Sequence, residues 1–409
     1  MNKNFIERSS GYTRAEDYKK AGIYPYFRVI QSEQDTEVMI SNRRVLMFGS
    51  NSYLGLTNHP KVKEASKRAI SLYGTGCGGS RFLNGTLSIH VELEEALQEY
   101  LQREAVILYS TGFQANLGTL PPLVKRNDYV LIDERVHASI IDASRLTFGK
   151  VMRFKHNDVK DLESIVAQLP HESFKFIVVD GVFSMEGDIA PLPGIVKVAQ
   201  RYNGVVVCDD AHAVGVIGHR GMGTGSHFGL NESVDIQIGT FSKSLASLGG
   251  FVASSKEVIE HLKHTSRSLI FSASMTPASV ASVLAALQII RSEPERIEQL
   301  WDNTSYALKQ CRELGFDVGN TESPIIPLYI RDSQKTFILA NQCFRDGVFI
   351  NPIVSPGVPD HQSMIRISLM ATHTHEQIDQ LCEILYKNVI QMGILDGKEQ
   401  VDDIKQYQG

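Results

Sequence analysis

The sequence predicts an α/β protein built around a mostly parallel sheet with helices on both faces. Three observations carry this. Between about residues 59 and 275, apolar β-rich runs alternate with helical patterns, as they do in repeated βα units. The runs are near-continuous in apolar residues rather than alternating, as strands covered on both faces are. The residues that follow them are polar or small, at Ser110-Thr111-Gly112, Asp133-Glu134, Asp180-Gly181, Asp209-Asp210 and Gly239-Thr240, where open α/β sheets bind ligands.

Taken in order, residues 1–58 read as an N-terminal arm: a short helix over 15–21, the aromatic cluster Tyr24, Tyr26 and Phe27, and an alternating stretch 34–46. That alternation predicts a hairpin turning at Ser41-Asn42. Residues 59–290 form the large ligand-binding domain. Its strands are expected at 105–109, 129–132, 174–179, 204–208, 234–238 and 250–253, with helices at 62–72, 91–101, 161–169, 193–201 and 277–291. Residues 291–409 are expected as a smaller α+β domain, with strands near 325–330 and 365–369 and a last helix from Glu376 to about Met392.

A chain of 409 residues exceeds what one core supports, so more than one lobe is expected. Hydrophobic content of 43% and charged content of 21% fit a globular enzyme. A net charge of -5 argues against a general nucleic-acid binder. Five scattered cysteines without a CxxC pair fit a reducing compartment and no structural zinc. No apolar run reaches the roughly 18 residues of a spanning helix, and residues 1–11 lack an apolar signal core. A cytoplasmic location is the expectation.

The chemistry concentrates at two strand ends. Gly204-Val205-Val206-Val207-Cys208-Asp209-Asp210-Ala211-His212 delivers an aspartate and a histidine after a buried strand. Gly239-Thr240-Phe241-Ser242-Lys243-Ser244 places one lysine after another. An apolar strand end is a poor place for a charged lysine unless it is desolvated for chemistry, and such a lysine can form a Schiff base. A carboxylate nearby is what the ring nitrogen of pyridoxal phosphate (PLP) requires.

Other motifs stand beside blander readings. Gly74-Thr75-Gly76-Cys77-Gly78-Gly79 has GxGxxG spacing but follows a helix, so the dinucleotide context fails. Ser110-Thr111-Gly112-Phe113-Gln114-Ala115-Asn116 opens a helix, which suits a phosphate on free amides or an ordinary N-cap. Asp209, Asp210 and His212 invite a metal, but adjacent carboxylates diverge in extended chain. His373 and His375 invite the same, but Thr374 with Gln377 is better read as a capping box. His137 is either a satisfied structural histidine or a stacking or acid–base group. Arg366 interrupts an apolar strand, so it is either in an internal salt bridge or faces a ligand carboxylate.

Together these segments resemble the α-oxoamine synthase family, PLP enzymes of the aspartate-aminotransferase fold, from about Tyr24 to Ile390. The motifs that carry the likeness are Ser50-Asn51-Ser52-Tyr53-Leu54-Gly55-Leu56, Gly79-Ser80-Arg81-Phe82-Leu83-Asn84-Gly85-Thr86, Asp180-Gly181-Val182-Phe183-Ser184-Met185-Glu186-Gly187-Asp188, Asp209-Asp210-Ala211-His212 and Gly239-Thr240-Phe241-Ser242-Lys243. The resemblance implies fold type I, with a mostly parallel seven-stranded sheet. It implies that Lys243 carries PLP, that Asp209 bonds the pyridinium nitrogen, and that His212 and Ser184 lie near the phenolic oxygen. It implies that His137 stacks on the ring and that Gly112, Phe113 and Thr240 hold the phosphate. Arg366 and Asn51 would address a substrate carboxylate, and no metal is implied. The family commonly has tyrosine at the position of Phe113, so a side-chain hydrogen bond is missing there while the amide contact survives.

Tyr26-Phe27-Arg28, Gln34-Asp35-Thr36-Glu37-Val38, Phe271-Ser272-Ala273-Ser274-Met275-Thr276-Pro277-Ala278-Ser279 and the run from Phe241 to Gly250 are closest to bacterial members that join L-serine to a long-chain acyl-CoA. The implied reaction is a decarboxylative condensation to 3-ketodihydrosphingosine, with glycine, alanine or cysteate as the alternative amino acid. The implied assembly is a homodimer with active sites at the interface. An amphiphilic donor and product make peripheral contact with the inner face of the cell membrane a further expectation.

Overall fold

In the computed structural model, which describes residues 2–10 and 13–395, the arm contributes a hairpin of β1 (Glu37–Ile40) and β2 (Arg43–Met47). Ser41 and Asn42 both have positive φ, 51° and 59°, as a two-residue turn matched to the strand twist requires. The predicted hairpin is thus present, and its turn is where the sequence puts it.

Seven strands form the main sheet: β3 (Ala105–Tyr109), β4 (Tyr129–Asp133), β5 (Lys150–Phe154), β6 (Lys175–Asp180), β7 (Gly204–Asp209), β8 (Ile236–Thr240) and β9 (Gly250–Ser254). Their order is β3-β9-β8-β7-β6-β4-β5. Only β9 runs antiparallel to its neighbours, so the other carboxyl ends all meet along one edge. Alternate residues of β3 enter different cores. Val106 and Leu108 pack with helices on one face, and Ile107 and Tyr109 with those on the other. β6, β8 and β9 are buried along their whole length, which explains their uninterrupted apolar runs. β5 was not expected from the sequence. It is one of the two edge strands, and its exposed Lys150 and Arg153 break the apolar pattern while blunting an open edge.

The C-terminal part builds a second sheet from β10 (Ile325–Tyr329), β12 (Asn351–Ile353) and β13 (Met364–Ser368), with β13 in the centre. Between them in sequence, β11 (Val348–Phe349) leaves that sheet and pairs parallel with β2. The last helix, His375–Gln391, starts at the expected capping box, in which the Thr374 side chain and Gln377 satisfy each other's backbone amides. The second sheet completes the ligand-binding edge, because β13 aims Arg366 back at the carboxyl ends of the first.

Candidate active site

Register explains the first part of the site. β6 and β7 pair in parallel so that Asp180 lies directly beside Asp209, and both side chains are buried. Asp209 accepts from Asn116 Nδ2 at 2.7 Å and from the Ala211 amide at 3.0 Å. Burial, with the charge of Asp209 adding to it, pushes the Asp180 carboxyl well above the usual carboxylate range. Lys243 is half-buried three residues past β8. Desolvation lowers its amine to about 8, with Asp209 and Asp180 opposing and Arg366 assisting the shift. This is the electrostatic setting that makes a lysine nucleophilic near neutrality.

A second group hangs from Arg366, which is 4% exposed in the centre of β13. Its guanidinium donates from Nε to the Ser184 carbonyl at 2.6 Å, from Nη1 to Asn51 Oδ1 at 3.0 Å and Ser368 Oγ at 2.6 Å, and from Nη2 to Tyr53 Oη at 3.3 Å. Every partner is neutral. Of the two readings open from sequence, the internal salt bridge is therefore the one the structure overturns: no carboxylate pairs with Arg366 among the described residues. His212 joins the group through Nδ1, 2.7 Å from Tyr53 Oη. Burial, then the positive charges of Lys243 and Arg366, hold its imidazole well below the ordinary range, so it stays neutral.

The third part is a cradle. Thr111 caps the helix Gly112–Leu123 by accepting from the Gln114 amide at 3.1 Å. The amides of Gly112 and Phe113 are in the first turn, where no intrahelical partner exists. A Cβ at Gly112 would lie 2.8 Å from Thr240 Cβ, and one at Gly250 would lie 2.7 Å from Gly112 Cα. Only glycine lets the helix start seat this closely on β8 and β9. Thr240 Oγ1 lies 2.9 Å from Ser242 Oγ. His137 caps the neighbouring helix Ala138–Arg145, with Nδ1 2.7 Å from Ser139 Oγ. Its ring stands edge-on to Phe113 at 6.4 Å between centroids. Burial lowers the His137 pKa, with Asp209 opposing that shift and Lys243 adding to it.

All ten residues singled out from the sequence line one cavity of about 480 Å³: Asn51, Gly112, Phe113, His137, Ser184, Asp209, His212, Thr240, Lys243 and Arg366. The same cavity takes in Asn116, Ser139, Asp180 and Ser242, none of which was singled out as a site residue. Asp180 and Asn116 belong to motifs legible in the sequence, and the signal that could have found them was the pairing of neighbouring strand ends. The two tempting histidines lie elsewhere. His373 bridges the Met370 amide and the Met47 carbonyl, and His375 pairs with Asp302 at 2.9 Å.

The family model for aminotransferase class I and II matches residues 43–385. The serine palmitoyltransferase of Sphingobacterium spiritivorum is 60% identical over 377 residues, covering 92% of this chain and 94% of that protein. The 8-amino-7-oxononanoate synthase of Thermosipho melanesiensis is 40% identical, over 93% of this chain and 97% of that protein. A variant of the S. paucimobilis serine palmitoyltransferase, solved with a PLP–myriocin adduct, superposes with a TM-score of 0.91 at 32% identity, covering 94% of this chain and 97% of that one.

Proposed function

The chain belongs to the class I and II aminotransferase family, and from that premise we propose that it is a PLP-dependent serine palmitoyltransferase. L-serine and palmitoyl-CoA, or another long-chain acyl-CoA, condense to 3-ketodihydrosphingosine, releasing CoA and CO2. The observation that carries the reading is that Lys243, Asp209 and a buried, carboxylate-free Arg366 open onto one cavity. Serine as the amino acid is supported by the higher identity to the serine palmitoyltransferase relative than to the 8-amino-7-oxononanoate synthase.

The residues fit PLP. A lowered lysine, a buried carboxylate backed by two donors, and a helix start whose glycine cannot carry a Cβ supply an aldehyde partner, a ring-nitrogen partner and a phosphate cradle. When bound, PLP supplies an electron sink for the bond broken at the amino acid Cα. The protein's own groups do the rest. Lys243 would hold the cofactor covalently. Freed by the incoming amino acid, its amine, lowered by desolvation, would take a proton from Cα and return one. Asp209 would hold the proton on the ring nitrogen, and His137 would cover the ring. Arg366 and Asn51 fix the substrate carboxylate, which decides which Cα bond stands ready for cleavage.

Three finer readings belong to the same proposal. A homodimer closing its sites at the interface is supported by Phe113 and Leu248, which line the cavity yet remain 41% and 59% exposed. A cytoplasmic protein in peripheral contact with membrane is supported by the amphiphilic substrate and product, while no helix among the described residues is long and apolar enough to cross a membrane. The division into 1–58, 59–290 and 291–409 is supported by the main sheet lying wholly between Ala105 and Ser254.

The test is the visible spectrum of the protein loaded with PLP, titrated separately with L-serine, glycine, L-alanine and L-cysteate, followed by palmitoyl-CoA with CoA release monitored. A saturable spectral change with L-serine and CoA release upon palmitoyl-CoA is expected, and the CoA release vanishes in Lys243→Ala. Preference for another amino acid would move the substrate within the family. Turnover by Lys243→Ala would end the assignment.

A further inference from the structure

Tyr53 is 1% exposed and belongs to the motif Ser50-Asn51-Ser52-Tyr53-Leu54-Gly55, whose only assigned member is Asn51. Its hydroxyl oxygen lies 2.7 Å from His212 Nδ1, 3.3 Å from Arg366 Nη2 and 3.5 Å from Asn51 Oδ1. We propose that Tyr53 is a positioning residue that fixes His212 in its Nε2–H tautomer, turning the side of the ring that faces the cavity into a hydrogen-bond donor.

Counting protons assigns each donor. A guanidinium only donates, so the Tyr53 oxygen accepts from Arg366. The hydroxyl has a single proton. Asn51 Oδ1 is at the distance limit for a hydrogen bond and already accepts from Arg366 Nη1 at 3.0 Å. His212 Nδ1 is far closer, so the Tyr53 proton goes there. Nδ1 must then offer its lone pair. The ring is held neutral by burial and by the charges of Lys243 and Arg366, so its one proton resides on Nε2. That nitrogen has no partner among the described residues, and the ring lines the cavity.

The consequence rests on the proposed PLP reading. A donor at Nε2 stabilises an anionic oxygen on the ligand, whereas the opposite tautomer would place a lone pair against it. The same hydroxyl is bonded to the arginine that addresses the carboxylate, so one side chain sets the geometry of both ligand contacts. Removing only the hydroxyl keeps the packing of the ring and frees the tautomer.

The experiment is ¹⁵N NMR of the full chain labelled in its histidine rings, with and without PLP. His212 is assigned by the signals lost in His212→Asn. The expected wild-type result is an unprotonated Nδ1 and a protonated Nε2, and in Tyr53→Phe the two nitrogens shift toward a mixture of tautomers. The PLP-loaded variant is expected to lose about ten- to a hundredfold in kcat/KM for L-serine, the range for one buried hydrogen bond. A wild-type Nδ1 that carries the proton would overturn the proposal without any variant. A His212 spectrum that does not respond to Tyr53→Phe would overturn it too. If PLP failed to bind at all, the functional reading would fall while the tautomer measurement without PLP still stood on its own.

Discussion

His156→Gln tests how the site's two loops are held. His156 follows β5, and both of its ring nitrogens face carboxylates: Nδ1 lies 3.0 Å from Asp133 Oδ1 and Nε2 lies 2.9 Å from Asp188 Oδ2. Asp133 ends β4, four residues before His137, and Asp188 lies four residues past Ser184, whose carbonyl holds Arg366. Burial by itself would lower the imidazole, but its hydrogen bonds to Asp133 and Asp188, and their charges, carry it up to about 9. From an unfolded value of about 6.5, that shift corresponds to about 3 kcal/mol. The folded pKa lies above the unfolded one, so this stabilisation is fully present below about pH 6.5 and is lost as pH rises through about 9. In urea unfolding followed at several pH values, His156→Gln should be less stable than wild type by about 3 kcal/mol at pH 6, with the gap narrowing by most of that by about pH 9.5. A gap that is the same at both ends of the range would refute the charged bridge and leave only a packing defect.

Arg366→Ala should raise KM for L-serine by about ten- to a hundredfold, the worth of a charge-assisted hydrogen bond, with little change in KM for palmitoyl-CoA. Steady-state kinetics with each substrate varied will show it, and equal effects on both would remove Arg366 from the carboxylate role. In the same variant the Lys243 amine should titrate above about 8, because a positive neighbour that lowers it has gone; an amine labelling rate against pH that does not move would contradict this. Gly112→Ala should weaken PLP binding by about 1–3 kcal/mol, since the new Cβ must push Thr240 aside. An unchanged PLP titration would show that this turn does not hold the phosphate.

The elements that read clearly were those whose burial left an uninterrupted apolar run. β3, β4, β6, β7 and β9 fall within a residue of expectation, because both their faces are covered. β8 is displaced by two residues, from 234–238 to Ile236–Thr240. Gly239 and Thr240 belong to the strand only because β9 folds back to pair with them, and a single run carries no sign of its partner. β5 failed for the opposite reason, since an edge strand keeps charges, and β11 and β12 are too short to show a period. In the site, Lys243, Asp209 and Arg366 were legible because a charge in an apolar run needs a reason. Tyr53 was not, since a buried tyrosine looks like core until its hydroxyl is found between an arginine and a histidine.

One electrostatic field ties these residues together. Arg366 is buried, and its four hydrogen bonds engage four of its five N–H groups without cancelling its charge, so no counter-charge among the described residues offsets its desolvation. The missing partner is an anion, and the cavity is where one can reach it. Until that anion arrives, the same charge helps to lower Lys243 and to keep His212 neutral. A substrate carboxylate on Arg366 would cancel part of that field. The Lys243 amine would then become more basic, at the moment when a Cα–H bond has been brought beside it. Carboxylate recognition and proton abstraction are thereby linked through charge alone, with no movement of the backbone required.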